Sequence, residues 1–353
     1  MHNLTPRFIL ERLADGQHNG QFAAIVLFVD TSGFTPLTSQ LMAHGAEGAE
    51  ALADILLAVF GPLIQSVYEQ GGFIAGFAGD AFKAIFPVRQ ADAPLRALAA
   101  AQQIRSHLAA HPSHTTPYGD FDFAVRASMA DGLVDWAMWS HTGSDPVTQS
   151  HAYSFFGPAI DQAIQGDAFA EAGDLVITHA VAARLRAEWP GVLAADAIGA
   201  QGTEIGDYLR VYLRVQALSG PLPAPQPPAD LAPLTGADRF FPADLLEATT
   251  QGEFRRVVAV FLSIQELGAP HTADTVMPLF FRLLHQYGGY LCRVGRVGAS
   301  DRGNTFLLFW GAPTSHENDL QRALDFLLEL RAQIGLPMRV GVTSGVGYAG
   351  FIG

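Results

Sequence analysis

The sequence predicts an α+β fold built twice in one chain, and three observations carry that expectation. Short apolar runs with β-branched members alternate with stretches whose apolar residues recur at helical spacing. Four landmarks recur in the same order in the two halves of the 353 residues, the signature of an internal repeat. Between the halves lies a proline-rich stretch, Leu218–Gly236, which reads as an extended, semi-rigid linker.

The first half can be taken in order. Phe22–Val29 is a continuous apolar run and reads as a buried strand. Ala46–Gln70 has helical spacing in Leu52, Ile55, Leu56, Val59, Phe60, Leu63, Ile64 and Val67. Pro62 is expected to kink or break that helix, because it removes a donor and clashes one turn back. Gly71-Gly72 ends it. Phe73–Phe77 and Ala81–Phe86 form two short strands joined through Gly79-Asp80, a hairpin-type turn pair. Ala91–Leu108 is alanine-rich and helical, Phe121–Ala130 is a strand, and Asp174–Ala187 gives a strand followed by a helix. Trp136 and Trp139, with the polar run to Ser150, read as a long loop that packs locally. Strand, helix, hairpin, helix, strand is the split βαβ order of ferredoxin-like folds.

In the second half, Arg256–Ser263 matches the first strand, and Gln286-Tyr-Gly-Gly289 matches Glu69-Gln-Gly-Gly72. Asp301–Trp310 matches Phe77–Phe86, and Arg339–Gly345 matches Arg126–Gly132. The expected boundaries are an extension over 1–19, a first domain over 20–217, a linker over 218–245 and a second domain over 246–353. The second copy stops just after its last matched strand, so it is expected to be incomplete at its C-terminus.

Composition narrows the function classes. Hydrophobic residues make up 49% and charged residues 16%, enough for a sizeable core. The net charge of −13 argues against a nucleic-acid surface, which shows a basic stripe. Cys292 is the one cysteine, so no disulfide framework is expected and a cytoplasmic location fits. Met1–Leu13 lacks a signal-peptide pattern. No run is expected to be apolar over the ~18–20 residues that span a bilayer, since Ala51–Val67 is interrupted by Asp54, Gly61-Pro62 and Gln65. The 12 histidines show no zinc spacing, and no Walker-type phosphate loop occurs.

The chemistry-bearing residues stand in Phe28-Val29-Asp30-Thr31-Ser32-Gly33-Phe34-Thr35 and Phe77-Ala78-Gly79-Asp80. Asp30 is expected at the end of a strand and Asp80 at the tip of the hairpin. Two carboxylates on adjacent strands can bind two divalent cations, and a small-residue loop beside them can wrap a phosphate chain. Each aspartate alone also suits a plain turn former.

With Phe156-Gly-Pro-Ala-Ile-Asp161, these motifs resemble a class III nucleotidyl cyclase catalytic domain. The tandem, with Asp301–Trp310-Gly-Ala-Pro313, is similar to the soluble adenylyl cyclase type. The resemblance implies two palm-type cyclase domains forming an intramolecular pseudo-dimer that makes 3′,5′-cyclic AMP from ATP, with GTP possible. It implies two Mg²⁺ or Mn²⁺ ions on Asp30 and Asp80, with Thr31. It assigns the triphosphate to Thr31, Ser32, Gly33, Phe34, Thr35, Gly79 and Arg126. Arg126 as a solvated strand-end charge stays open beside that role. Arg293 stands near the position of a base-reading lysine, in a register that leaves Cys292 and Val294 open. NTPase or repeat regions C-terminal to such tandems are a further implication.

Departures from the family pattern shape the expectation. Ser263 matches Asp30 and Asn304 matches Asp80, so the first domain is the metal half. Asp161 and Gln165 stand where the complementary half carries an Asn and an Arg. Gly76 and Ile164 replace the bicarbonate-sensing Lys and Arg. The hairpin Ala78-Gly79-Asp80-Ala81 lacks the turn of a diguanylate cyclase. The rival reading is a catalytically degenerate pair that senses nucleotide for a larger signalling protein.

Overall fold

The computed structural model describes residues 5–89, 92–141, 149–193, 198–205, 208–215, 218, 222–225, 235–242, 245, 253–265, 267, 272–295 and 303–349. The chain is mixed α+β and divides into two compact units. One comprises Gln21–Asp135 with Phe156–Leu231, the other Met1–Gly20, Trp136–Phe155 and Ala232–Phe351. Much of the expected 218–245 linker lies outside the described residues. Of the described part, Leu218 and Leu222 pack on the core of the first unit, and Gln70 donates to the Pro223 carbonyl at 3.3 Å.

In the first unit, strand β1 (Asn19–Ser32), helices α2 (Phe34–Met42) and α3 (Gly45–Glu69) and the hairpin β2 (Phe73–Ala78) and β3 (Ala81–Pro87) come first. They are followed by α4 (Ala93–Ala110), the small β4 (Ser113–Thr116) and β5 (Gly119–Asp122) pair, and β6 (Ala124–Ser140). After β7 (His151–Phe156) come α5 (Pro158–Gly166), β8 (Leu175–Thr178), α6 (His179–Glu188), β9 (Ile198–Ile205) and β10 (Tyr208–Val215). The sheet runs β2-β3-β1-β6-β8-β10-β9. Ile25, Leu27 and Val29 of β1 face a core shared with Leu37 of α2, Ile55, Val59 and Leu63 of α3, and Leu98 and Ile104 of α4.

The expected break at Pro62 does not occur: α3 is one helix of 25 residues. Its buried residues Ile55, Val59, Leu63 and Val67 lie on both sides of the proline. At ~1.5–3 kcal/mol per buried aliphatic side chain, that stripe outweighs the ~3 kcal/mol a mid-helix proline costs. The expectation that no segment could span a bilayer is corrected with it. By length and composition, α3 is long and apolar enough to cross a membrane, because Gly61-Pro62 does not divide it.

Trp136 and Trp139 do not lie in a loop. They belong to β6, which pairs with β7. Val134, Trp136 and Met138 are all buried, an alternation that marks a strand. From Trp136 onward this arm belongs to the second unit, as does α1 (Arg7–Ala14), whose Phe8 packs against Trp136 and Phe155.

The second unit carries β11 (Glu253–Gln265), α7 (Thr272–Gln286), β12 (Tyr290–Gly295), β13 (Gly303–Trp310), α8 (Asp319–Ile334) and β14 (Met338–Ala349). Its sheet order, β12-β13-β11-β14, reproduces β2-β3-β1-β6. Phe280, Phe306, Trp310 and Phe326 centre its core, which Trp139 and Ala152 of the arm join. Buried Gln149 pins the arm: its amide donates to the carbonyls of Phe240 and Leu291, and its oxygen accepts from the Leu291 N–H.

The double-glycine landmark has one physical cause in both copies. Gly71 and Gly288 adopt positive φ at the helix end. A Cβ on Gly72 would meet the Phe86 ring at 2.6 Å, and one on Gly289 would meet Trp310 at 2.6 Å. The copies differ at their last shared strand. Ala127 and Met129 of β6 are buried beside β8, whereas their counterparts Val340 and Val342 of β14 are 44% and 40% exposed. Among the described residues, β14 pairs with β11 alone.

His151 gives the second unit a pH dependence. Its ring is buried on β7, edge-on to Phe240 and 2.8 Å from the Ser150 hydroxyl. Burial, with Arg239 and His18 adding to it, lowers its pKa from 6.5 to about 4. The unfolded chain therefore binds a proton that the folded unit refuses. Stability is fullest above pH 6.5 and falls as pH drops toward 4. Urea unfolding at neutral and acid pH should show that loss, and His151→Phe should flatten it.

Candidate functional site

The site begins with a strand register. β1 and β3 pair antiparallel with Asp30 opposite Ala81, and the Thr31 N–H donates to the Asp80 carbonyl at 3.3 Å. Two aspartates far apart in sequence are thereby neighbours at one end of the sheet. β1 extends to Ser32, and its register with β3 ends at Asp30, the strand-end position expected for it. Rigid, paired backbone holds its half-buried carboxylate.

Arg126, at the start of β6, reaches this carboxylate. Its Nη2 is 2.5 Å from Asp30 Oδ2, and its Nε is 2.8 Å from Asp167 Oδ1. Asp167 stands in the 3-10 turn Asp167–Phe169 that follows α5. Burial raises the Asp167 pKa; Arg126 pulls it back and Asp30 adds to the rise. Burial pulls the Arg126 guanidinium down, but Asp167 and Asp30 outweigh it and hold the group above its ordinary value. The open choice at Arg126 is resolved to this extent: the side chain bridges two carboxylates and is not a merely solvated charge.

Thr31 behaves differently from its expectation as a metal ligand. Strand alternation puts it on the core face with Leu27 and Val29, and its side chain is fully buried. Its hydroxyl has no hydrogen-bond partner and lies on the side of the strand away from Asp30. Any role beside the carboxylates falls to its main chain.

The expected phosphate loop is in fact a strand end, one turn residue and a helix start. Gly33 has φ +108°, and a Cβ there would meet the Asp122 carbonyl oxygen at 2.3 Å. It is the N-cap of α2 and carries no capping side chain. The amides of Phe34 and Thr35 lie in the first turn, where N–H groups lack intrahelical acceptors and suit an anion. Pro36 has none to offer. Phe34 anchors the turn by stacking on Phe60 and packing on Phe123 at ring distances of 5.2 and 4.9 Å. Thr35 and Ser32 are exposed, the Ser32 hydroxyl donating to the Ala124 carbonyl at 3.2 Å. Gly79 takes φ +69° in the hairpin turn.

The second unit repeats the register without the acids. Ser263 lies opposite Thr305, and Asn304 precedes it, as Asp30 lies opposite Ala81 with Asp80 before it. Ile264, fully buried, stands where the first copy has Thr31. Arg339, matching Arg126, pairs in register with Ser263. Between the two copies, a bulge between Leu291 and Arg293 recurs between Ile74 and Gly76. Arg293 therefore corresponds to Gly76, and Val294 is committed to the core.

Among the described residues, no cluster of three or more His, Cys, Asp or Glu is placed to hold a metal. Two carboxylates are what this site offers. That donor set fits Mg²⁺ or Mn²⁺, hard cations often held by one or two carboxylates with water and substrate phosphates. Asp161 and Gln165 sit one turn apart on α5. Asp167 escaped the sequence reading because its partners are distant in the chain and no local spacing marks it.

No protein-family model matches the chain, and no curated protein matches it. Among solved structures it is similar to the adenylyl cyclase CyaB from P. aeruginosa, at 19% identity, over 56% of this chain and 96% of that one, with TM-score 0.41. It is similar to the dimeric guanylyl cyclase domain of the RhoGC fusion protein from the aquatic fungus Blastocladiella emersonii, at 16% identity, over 57% and 99%, with TM-score 0.41. The guanylate cyclase domain of RhGC from Catenaria anguillulae in complex with GTP is similar at 14% identity, over 57% and 100%, with TM-score 0.41.

Gly33 is the position where local backbone decides the site. Gly33→Ala imposes a left-handed conformation and a clash with main chain that cannot rotate away. It should lower stability by roughly 2–4 kcal/mol, read as a shift in the urea midpoint at unchanged slope.

Proposed function

We propose that the chain is a nucleotidyl cyclase that converts ATP to 3′,5′-cyclic AMP and pyrophosphate. The observation that carries this reading is the shared register. In the first copy it sets Asp30 opposite Ala81, the neighbour of Asp80, and in the second it sets Ser263 opposite Thr305, the neighbour of Asn304. One copy keeps the acids and the other keeps only the scaffold, a division of labour that the motif resemblance implies for such tandems.

In this reading Asp30 and Asp80 hold the two Mg²⁺ or Mn²⁺ ions. When bound, such ions favour ionisation of the ribose 3′-hydroxyl and offset charge on the reacting phosphate. The amides of Phe34 and Thr35 orient the triphosphate, and Gly33 keeps the approach clear of any side chain. Arg126 presents a planar fork suited to phosphate oxygens. Arg293 of the second copy is the proposed base contact, and GTP is the competing substrate. The two copies act as a pseudo-dimer in which the second complements the metal half.

Gln165 gives a specific reason to keep a second reading. It cannot supply the fixed positive charge that phosphoryl-transfer sites use, so the first copy alone lacks that element. A nucleotide-sensing module without turnover is the alternative.

The test is cyclic nucleotide formation from ATP and from GTP with Mn²⁺. Wild-type protein should form product, and Asp30→Asn or Asp80→Asn should lower the rate by more than about 100-fold, since even outer-shell partners of a metal cost 10–100-fold. Nucleotide binding without product in the wild type would favour the sensing module.

A further inference from the structure

We propose that Arg126 is a built-in placeholder for the divalent cation at Asp30, and that Asp167 is the positioning residue that receives it when the cation binds. The inference rests on the metal reading of Asp30 and deepens it. Arginine and metal then compete for one carboxylate, and loading the site is an exchange of cations.

Three observations carry this. First, Asp30 is a half-buried carboxylate at the last paired position of β1 against β3, where a charge without a partner is costly. Arg126 Nη2, 2.5 Å away, meets that need. Second, the contact with Asp167 is incomplete. Nε of Arg126 and Oδ1 of Asp167 are 2.8 Å apart, yet both atoms are buried without a hydrogen bond. The attraction is in place but the N–H is not aimed at its acceptor. A guanidinium released from Asp30 can turn onto Asp167 and gain the bond it lacks, which lowers the cost of release. Third, the second copy keeps an arginine at the same register position, Arg339, but opposite neutral Ser263. Where the acid is gone the arginine stays exposed, so this position does not require a buried ion pair to form the strand.

The group that moves is Arg126, and two acids hold it, Asp30 through Nη2 at 2.5 Å and Asp167 through Nε at 2.8 Å.

The test is direct Mn²⁺ binding to the full chain without nucleotide, read from the electron paramagnetic resonance signal of free Mn²⁺. Arg126→Gln should tighten binding about fivefold, the scale of a partly exposed ion pair. Asp167→Asn should weaken it in the wild-type background and have no effect in the Arg126→Gln background, the non-additivity expected if Asp167 acts through Arg126. If Arg126→Gln does not fold, Arg126→Lys, which loses the fork, should tighten binding by a smaller factor. Unchanged or weaker Mn²⁺ binding in the Arg126 variants overturns the placeholder. An equal effect of Asp167→Asn in both backgrounds overturns its positioning role. A wild-type protein whose Mn²⁺ binding does not depend on Asp30 and Asp80 overturns the metal reading itself, a result distinct from either.

Discussion

What this chain can offer a ligand depends on the antiparallel register of β1 against β3. A strand shifted by one residue turns every side chain to the opposite face. Asp30 would then enter the core, and the Thr31 hydroxyl would take its place. The register is held from several sides. Leu27 and Val29 commit one face of β1 to the helices, the Gly79-Asp80 turn fixes the hairpin length, and the Thr31 amide closes on the Asp80 carbonyl. Gly72, pressed against the Phe86 ring, sets where the hairpin begins. The carboxylate pair is thus a by-product of packing that occurs elsewhere.

The two copies separate scaffold from chemistry. Strand order, register, bulge and double glycine are common to both, and each has a backbone or packing cause. The acids have no such cause, and Ser263 and Asn304 replace them without disturbing the sheet. Ile264 is instructive in the same way. It fills with methyl groups a position where Thr31 buries a hydroxyl without a partner. A buried orphan hydroxyl costs ~1–3 kcal/mol, so the second copy carries the more comfortable version of the strand. Fold and site obey different constraints in one chain.

Much of the first unit was legible because its signals are local. Apolar periodicity marked β1, α3 and α4, and the Gly-Asp pair marked the β2–β3 hairpin. The repeated double glycine tied the halves together. What escaped depended on distant partners. The expected loop at Thr31–Thr35 runs into helix α2, although Pro36 in its first turn is a helix-start signal. The expected loop at Trp136 and Trp139 is the end of β6, because its burial comes from α1 and the core of the second unit, and residues 142–148 of that expectation lie outside the described residues. Pro62 misled because its local cost is offset by four core side chains. Asp167 became visible only when α5 carried it to Arg126.

One consequence remains in β14. Its hydrogen-bonding edge faces no other strand among the described residues, and Val340, Val342 and Val346 stand exposed along it. Unpaired edges of this kind are templates onto which other chains add, and low charge with β-branched residues favours the addition. The free side of β14 and the aspartate register of β1 and β3 lie in different copies of the repeat, so substitutions at Val340, Val342 and Val346 leave that register untouched.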